Sequence, residues 1–271
     1  MNIFGDAAHG LPDRPGERAA GGPRRSQHCV LLAVDVAAFT DPARTDRVQL
    51  AIREALYDVV PGAFDDCPLG WDGCLHEDRG DGMLVVIPAR MPTITVVDPL
   101  LDRLAERLRR HNRSASGPHA VRLRAAAHIG EVHHDAHGLA GTAVNHLFRL
   151  LDAPALKRAL DDSGGELAFI ASDYFYDSVV RHAEGTVDPA AFWPVTVEVK
   201  QTRARGWVHL PHSPAGTPAL REAAAPARTA PPAPPAPAPG PGRPGGGIAF
   251  FGNVTVHGDV VAGDKIVRGD G

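Results

Sequence analysis

Residues 29–36 read CVLLAVDV, an almost unbroken apolar run with one acid, Asp35, near its end. A run of this kind suits a central strand of a sheet, and a central strand sets where every other element must go. Its neighbours in the chain extend the pattern. Asp41-Pro42 pairs a capping residue with proline, which predicts that a helix opens there. Val48, Ile52, Ala55, Leu56 and Val59 then recur at helical spacing. Two short strands are expected near Leu75–Glu77 and Met83–Pro88, with DRGDG between them, whose Gly80-Asp81-Gly82 is hairpin-turn chemistry. Asp98-Pro99 predicts another helix, with Leu101, Leu104 and Leu108 on one face. Val121–Ala127 and Val132–His134 bracket His128-Ile129-Gly130-Glu131 as strand residues. Val144, Leu147, Phe148 and Leu151 mark a helix stopped near Pro154. Leu167–Ala171 is a strand, and Ser172 caps a helix carrying Tyr174, Phe175 and Val179. Val195–Val199 and Trp207–Leu210 close as a hairpin. The order predicts an α+β domain around one mostly antiparallel sheet flanked by helices.

Composition divides the 271 residues. Residues 1–25 are rich in Gly, Pro, Arg and Ala and read as disordered. Residues 26–211 carry the globular pattern. Residues 212–247 form a Pro/Ala/Gly-rich tract that cannot pack a core and reads as a semi-stiff linker. Residues 248–271 turn apolar again, with Gly-Asn or Gly-Asp steps between valines: a short β-prone tail too small to bury a core of its own. Such a tail needs a partner, through strand addition or by stacking with copies of itself. The net charge of -4 shows no bias toward nucleic acid. No apolar run is long enough to span a bilayer, and the N-terminus lacks the apolar core of a signal peptide, so a cytoplasmic protein without membrane partners is expected. Cys29, Cys67 and Cys74 form no metal spacing and are expected to be buried, reduced thiols.

Asp35 and Asp81 stand out as acids at one end of adjacent strands. Paired carboxylates beside backbone carbonyls suit hard divalent ions, and two such ions activate a hydroxyl and stabilise a leaving phosphate. On these residues alone, a turn aspartate and a strand-end cap remain the alternative.

Further residues bear on this choice. Asp35-Val36-Ala37-Ala38-Phe39-Thr40, Gly80-Asp81, His128-Ile129-Gly130-Glu131, the set Gly141, Val144, Asn145 and Arg149, and finally Lys200 occur in that order. Over about residues 29–210 the chain thereby resembles the class III nucleotidyl (adenylyl/guanylyl) cyclases, of the actinobacterial type. The resemblance implies a ferredoxin-like core and a role for each matched residue. Asp35, Asp81 and the Val36 backbone would hold two Mg²⁺ or Mn²⁺ ions. Phe39 and Thr40 would face the phosphates, and Lys200 would bind the phosphate tail. Asn145 would orient the ribose and Arg149 would stabilise charge on the transferring phosphorus. Glu77 occupies a base-selecting position and favours guanine, with cytosine or uracil as alternatives. Gly138, at the second such position, is neither the expected Asp nor Cys. Ala38 and Gln201 stand where glycine is common. The resemblance also implies a homodimer whose sites combine residues of both chains. The expected activity is conversion of a nucleoside triphosphate to a 3',5'-cyclic nucleotide. The alternative is a degenerate cyclase-fold scaffold. The tail resembles short terminal motifs that link bacterial signalling and defence proteins to effectors, which implies an effector partner or self-assembly.

Overall fold

The computed structural model describes residues 25–212, apart from 116, 136–137 and 184–186. The expectations for the N-terminal stretch, the linker and the tail lie outside the described residues, save Arg25 and His212 at the borders.

The apolar run is the middle of β1 (Arg25–Val36). Helix α1 (Asp46–Asp65) follows, then β2 (Leu75–Asp78), β3 (Gly82–Ile87) and α2 (Leu100–Ser114). Next come β4 (Leu123–Asp135), β5 (Gly138–Ala140), α3 (Thr142–Leu151) and α4 (Pro154–Ser163). β6 (Leu167–Ser172) leads into α5 (Asp173–Phe175), which continues as a π-helical turn over Tyr176–Val180. β7 (Trp193–Val199) and β8 (Thr202–His209) complete the fold.

The strands form one sheet in the order β2-β3-β1-β4-β6-β8-β7, with β5 added to β4. The β4–β6 pairing is parallel and the other pairings are antiparallel. β1 is central because both of its faces find apolar cover. Val30, Leu32, Val34 and Val36 pack with α1 and α2, while Cys29, Leu31 and Ala33 pack with α3 and α4. Burial on both faces is what an apolar run without alternation requires. The expected α+β class is the observed one.

Three local expectations are corrected. α1 opens at Asp46, not at Asp41-Pro42. The Asp41 carboxylate instead accepts the Ala43 N–H at 2.8 Å, closing an Asx turn. The segment around HIGE is one continuous strand, as expected, and pairs with β1 over Leu123–His134. Pro154 does not only end a helix. It starts α4 at the first helical position, where a missing N–H costs nothing. The helix after Ser172 is a single turn before it widens. Ser172 does cap it, accepting the Phe175 N–H at 3.1 Å. All three cysteines are free and buried, and burial pushes the Cys29 and Cys74 thiols up to about 11. No helix among the described residues is long and apolar enough to cross a membrane.

Candidate active site

Asp35 faces the side of the sheet covered by α3 and α4, opposite Gly82 on β3 and Arg124 on β4. Its carboxylate is held in a fork. Arg124 Nε donates to Oδ1 at 2.8 Å and Nη2 donates to Oδ2 at 2.7 Å. Both side chains are largely buried, at 17 % and 14 % exposure. Asp35 nevertheless sits at about 6, above the ordinary carboxylate range. Burial is the largest cause and outweighs Arg124, which pulls the other way; the negative charges of Asp81 and Asp152 push further upward.

Asp81 is brought close by the backbone. Val36 N–H donates to the Asp81 carbonyl at 2.9 Å, tying the end of β1 to the β2–β3 turn. Gly82 makes this approach possible, since a Cβ there would lie 2.3 Å from the Val34 carbonyl oxygen. The Asp81 backbone thus lies at the end of β1, beside the strand that carries Asp35. The donors are two carboxylates with the Val36 carbonyl in the same segment. Among the described residues no group of three or more His, Cys, Asp or Glu gathers. Magnesium characteristically takes one or two protein carboxylates and completes its shell with water and substrate phosphate, and for Asp35 to join such a shell the ion would have to replace Arg124 on at least one of its oxygens.

Beyond Val36 the chain turns sharply. Ala38 has a φ of 53°, in the left-handed region. Arg44 fixes the turn from behind: Nη1 donates to the Ala37 and Ala38 carbonyls at 2.9 Å each, and Nη2 donates to Ala120 at 3.0 Å. Phe39 packs on the core beside α1, leaving Ala38 and Thr40 exposed. Next to this turn, a recess of about 340 Å³ is lined by Ala37, Ala38, Arg44, Arg122, Arg124 and Lys157.

The remaining predicted residues gather elsewhere. α3 carries Asn145, exposed, and Arg149, half-buried, on one face. α3 approaches β4 closely because Gly130 has no Cβ: one placed there would meet Ala143 Cβ at 2.6 Å. Arg149 donates to Thr202 Oγ1 at the start of β8, two residues from Lys200, which is exposed in the β7–β8 turn with a φ of 52°. Phe148, beside Arg149, lies under the guanidinium of Arg79 at 5.3 Å. Arg79 in turn pairs with Glu77 at 2.5 Å, and Glu77 accepts the Leu139 N–H at 2.8 Å. Glu77, Arg149 and Lys200 are therefore linked through neighbours on and around α3.

Asp35 and the Lys200 turn do not meet within one chain. Asp35 pairs with Arg124 at the start of β4, whereas Thr202 lies beyond Gly206, which pairs with Ser172 at the far end of β6. Since β4 and β6 run parallel, these are opposite ends of the sheet.

Sequence reasoning missed Arg44, Arg79 and Arg124. Arg124 did carry a signal: an arginine in an otherwise apolar strand, VRLRAAAH, calls for a partner that satisfies its charge. Arg44 carried none, because its partners are backbone carbonyls.

Among solved structures, the chain is similar to a bacterial light-regulated adenylyl cyclase, with a TM-score of 0.51 and 12% identity over 74% of this chain and 58% of that one. An adenylate/guanylate cyclase/hydrolase from Silicibacter pomeroyi matches with a TM-score of 0.48 and 17% identity over 69% and 99% of the respective chains. The catalytic core of a rhodopsin-guanylyl cyclase with converted specificity, in complex with ATPαS, matches with a TM-score of 0.48 and 15% identity over 69% and 98%. No protein-family model matches the chain, and no curated protein does. The likeness to the light-regulated enzyme is one of fold.

Proposed function

We propose that the protein is a nucleotidyl cyclase acting as a two-fold dimer. The observation that carries this reading is the separation of Asp35 from the Lys200 turn by the length of the sheet. One chain supplies Asp35 and Asp81 at one end and Glu77, Asn145, Arg149 and Lys200 around α3. A head-to-tail pair would join each half to its complement and form two sites. In such a site the ribose 3'-oxygen attacks the α-phosphorus. The new O3'–P bond forms as the bond to the bridging oxygen breaks, and pyrophosphate leaves with the electron pair. Asn145 orients the ribose. Arg149 neutralises charge developing on the phosphorus, and Lys200 holds the departing phosphates. The turn over Ala37–Thr40 faces the phosphate chain. Asp35 and Asp81 would hold Mg²⁺ or Mn²⁺, which when bound lowers the cost of ionising the hydroxyl and of charge on the leaving group. Residues 248–271, at the end of the linker, would recruit an effector or assemble with copies of themselves.

A second reading rests on Asp35 and Ala38. The carboxylate is already neutralised by Arg124, and a Cβ sits at a left-handed position of the phosphate-facing turn. Both suit a scaffold that keeps the fold without turnover. The test is incubation of the purified dimer with each of the four ribonucleoside triphosphates and Mn²⁺, with products resolved by mass. A cyclic nucleotide from at least one is expected. A verified dimer that forms none leaves the scaffold reading standing.

A further inference from the structure

Ala38 stands where glycine is common in the cyclases that the chain resembles, and its φ of 53° is a conformation that costs a residue with a Cβ. Something in the chain has to maintain it. The ends of the turn are tied by the backbone. Val36 N–H donates to the Asp81 carbonyl and Ala37 N–H to the Arg122 carbonyl, each at 2.9 Å, and Asp41 N–H donates to the Ala38 carbonyl at 3.1 Å. The middle is tied by Arg44, which is half-buried. Its Nη1 bridges the Ala37 and Ala38 carbonyls, and its Nη2 reaches the Ala120 carbonyl ahead of β4. A trans peptide sets its C=O and the following N–H on opposite sides. Two carbonyls drawn toward Arg44 therefore turn the N–H groups of Ala38 and Phe39 away from it. Successive N–H groups around a left-handed residue make a concavity that receives an anion. Carbonyl partners carry no net charge, so the guanidinium keeps its own and leaves the turn electropositive.

We infer that Arg44 is a positioning residue for the phosphate chain. It holds Ala38 in the conformation that glycine would adopt freely, and it aims the Ala38 and Phe39 N–H groups at phosphate oxygens. Hydrogen bonds from a distant side chain supply here what glycine supplies through conformational freedom. The inference rests on the cyclase reading, which sets the phosphate chain against this turn, and it identifies the side chain on which that contact depends. Arg44 acts through the backbone. To touch phosphate itself it would have to release carbonyls that it grips.

The test measures binding by calorimetry on the full chain with Mn²⁺, using the 3'-deoxy forms of the four nucleoside triphosphates, which lack the attacking hydroxyl. Urea curves establish that each variant is folded under the binding conditions. Arg44→Met keeps the reach of the side chain and removes its donors. It should weaken every triphosphate that the wild type binds by at least roughly ten-fold, the scale of one hydrogen bond to a charged group. The ratios among bases should stay as they are, because the contact is with phosphate. Arg44→Lys keeps the charge but cannot bridge the same carbonyls, and it should lose nearly as much. Adding Ala38→Gly to either variant should recover most of the loss, since glycine takes the left-handed conformation unaided. Should Arg44→Met fail to fold, Arg44→Lys with and without Ala38→Gly gives the same comparison. Wild-type affinity in either folded Arg44 variant overturns the proposal, as does a loss confined to one base. A loss that Ala38→Gly leaves untouched also overturns it, and makes Arg44 a direct phosphate ligand. A wild type that binds none of the four triphosphates overturns the cyclase reading itself, and the proposal with it.

Discussion

Ala38 has a Cβ at a φ of 53°, a conformation that costs an L-residue about 1–2 kcal/mol. The turn holds because Arg44 grips the carbonyls of Ala37 and Ala38. Ala38→Gly removes the steric cost and loses part of the gain to unfolded-chain entropy. We expect a net stabilisation of about 0.5–1 kcal/mol, read as a higher urea midpoint with an unchanged m-value. A lower midpoint would mean that the Cβ makes a contact worth more than the strain. His128 is a second residue with a measurable signature. Its Nδ1 lies 2.9 Å from Ser172 Oγ and its ring stands edge-on to His146 at 4.7 Å. Burial, followed by the charges of His146 and His28, depresses its pKa from 6.5 to about 4. The unfolded chain therefore binds a proton that the folded chain refuses between those values. Stability is full above pH 6.5 and declines as pH falls toward 4. His128→Gln should flatten part of that slope in denaturation curves taken from pH 7.5 to 4.5. An unaltered slope would show that other groups govern acid lability.

At the scale of elements, local chemistry is enough to place most helices and strands, and contacts between elements decide their limits. Val48, Ile52 and Leu56 put α1 in the core as their spacing predicts, but its start is displaced from Pro42 to Asp46. The Arg44 guanidinium bonds to Ala37, Ala38 and Ala120, and these ties hold the preceding residues in a turn. A turn held by a long-range partner leaves no mark in the local sequence. α3 depends on a neighbour in the same way. It lies against β4 only because Gly130 offers a bare backbone to Ala143. Gly130→Ala should force a shift costing about 1–3 kcal/mol, the usual scale of overpacking. Because the helix that moves carries Asn145 and Arg149, nucleotide affinity should fall along with stability. If both remain at wild-type values, α3 has room to move and this account of the glycine is wrong.

At the scale of the molecule, Asp81→Ala and Arg149→Ala should each abolish cyclisation. Mixing the two variants should restore about a quarter of wild-type turnover, because random pairing makes half of the dimers mixed and each mixed dimer has one intact site of two. Mixtures as inactive as their components would rule out sites shared between chains. The linear order of chemistry-bearing residues was readable before folding, and so was the class of architecture. An apolar run, a Gly-Asp-Gly turn and two carboxylates ahead of an Asn–Arg helix face depend on residue type and short-range spacing alone. Tertiary structure decided what those residues touch. Arg124 reaches Asp35 from another strand, Arg79 closes on Glu77 above Phe148, and Asp35 and Thr202 lie at opposite ends of the sheet. Such contacts depend on strand order and register, which join residues far apart in the chain, so spacing along the sequence carries no record of them.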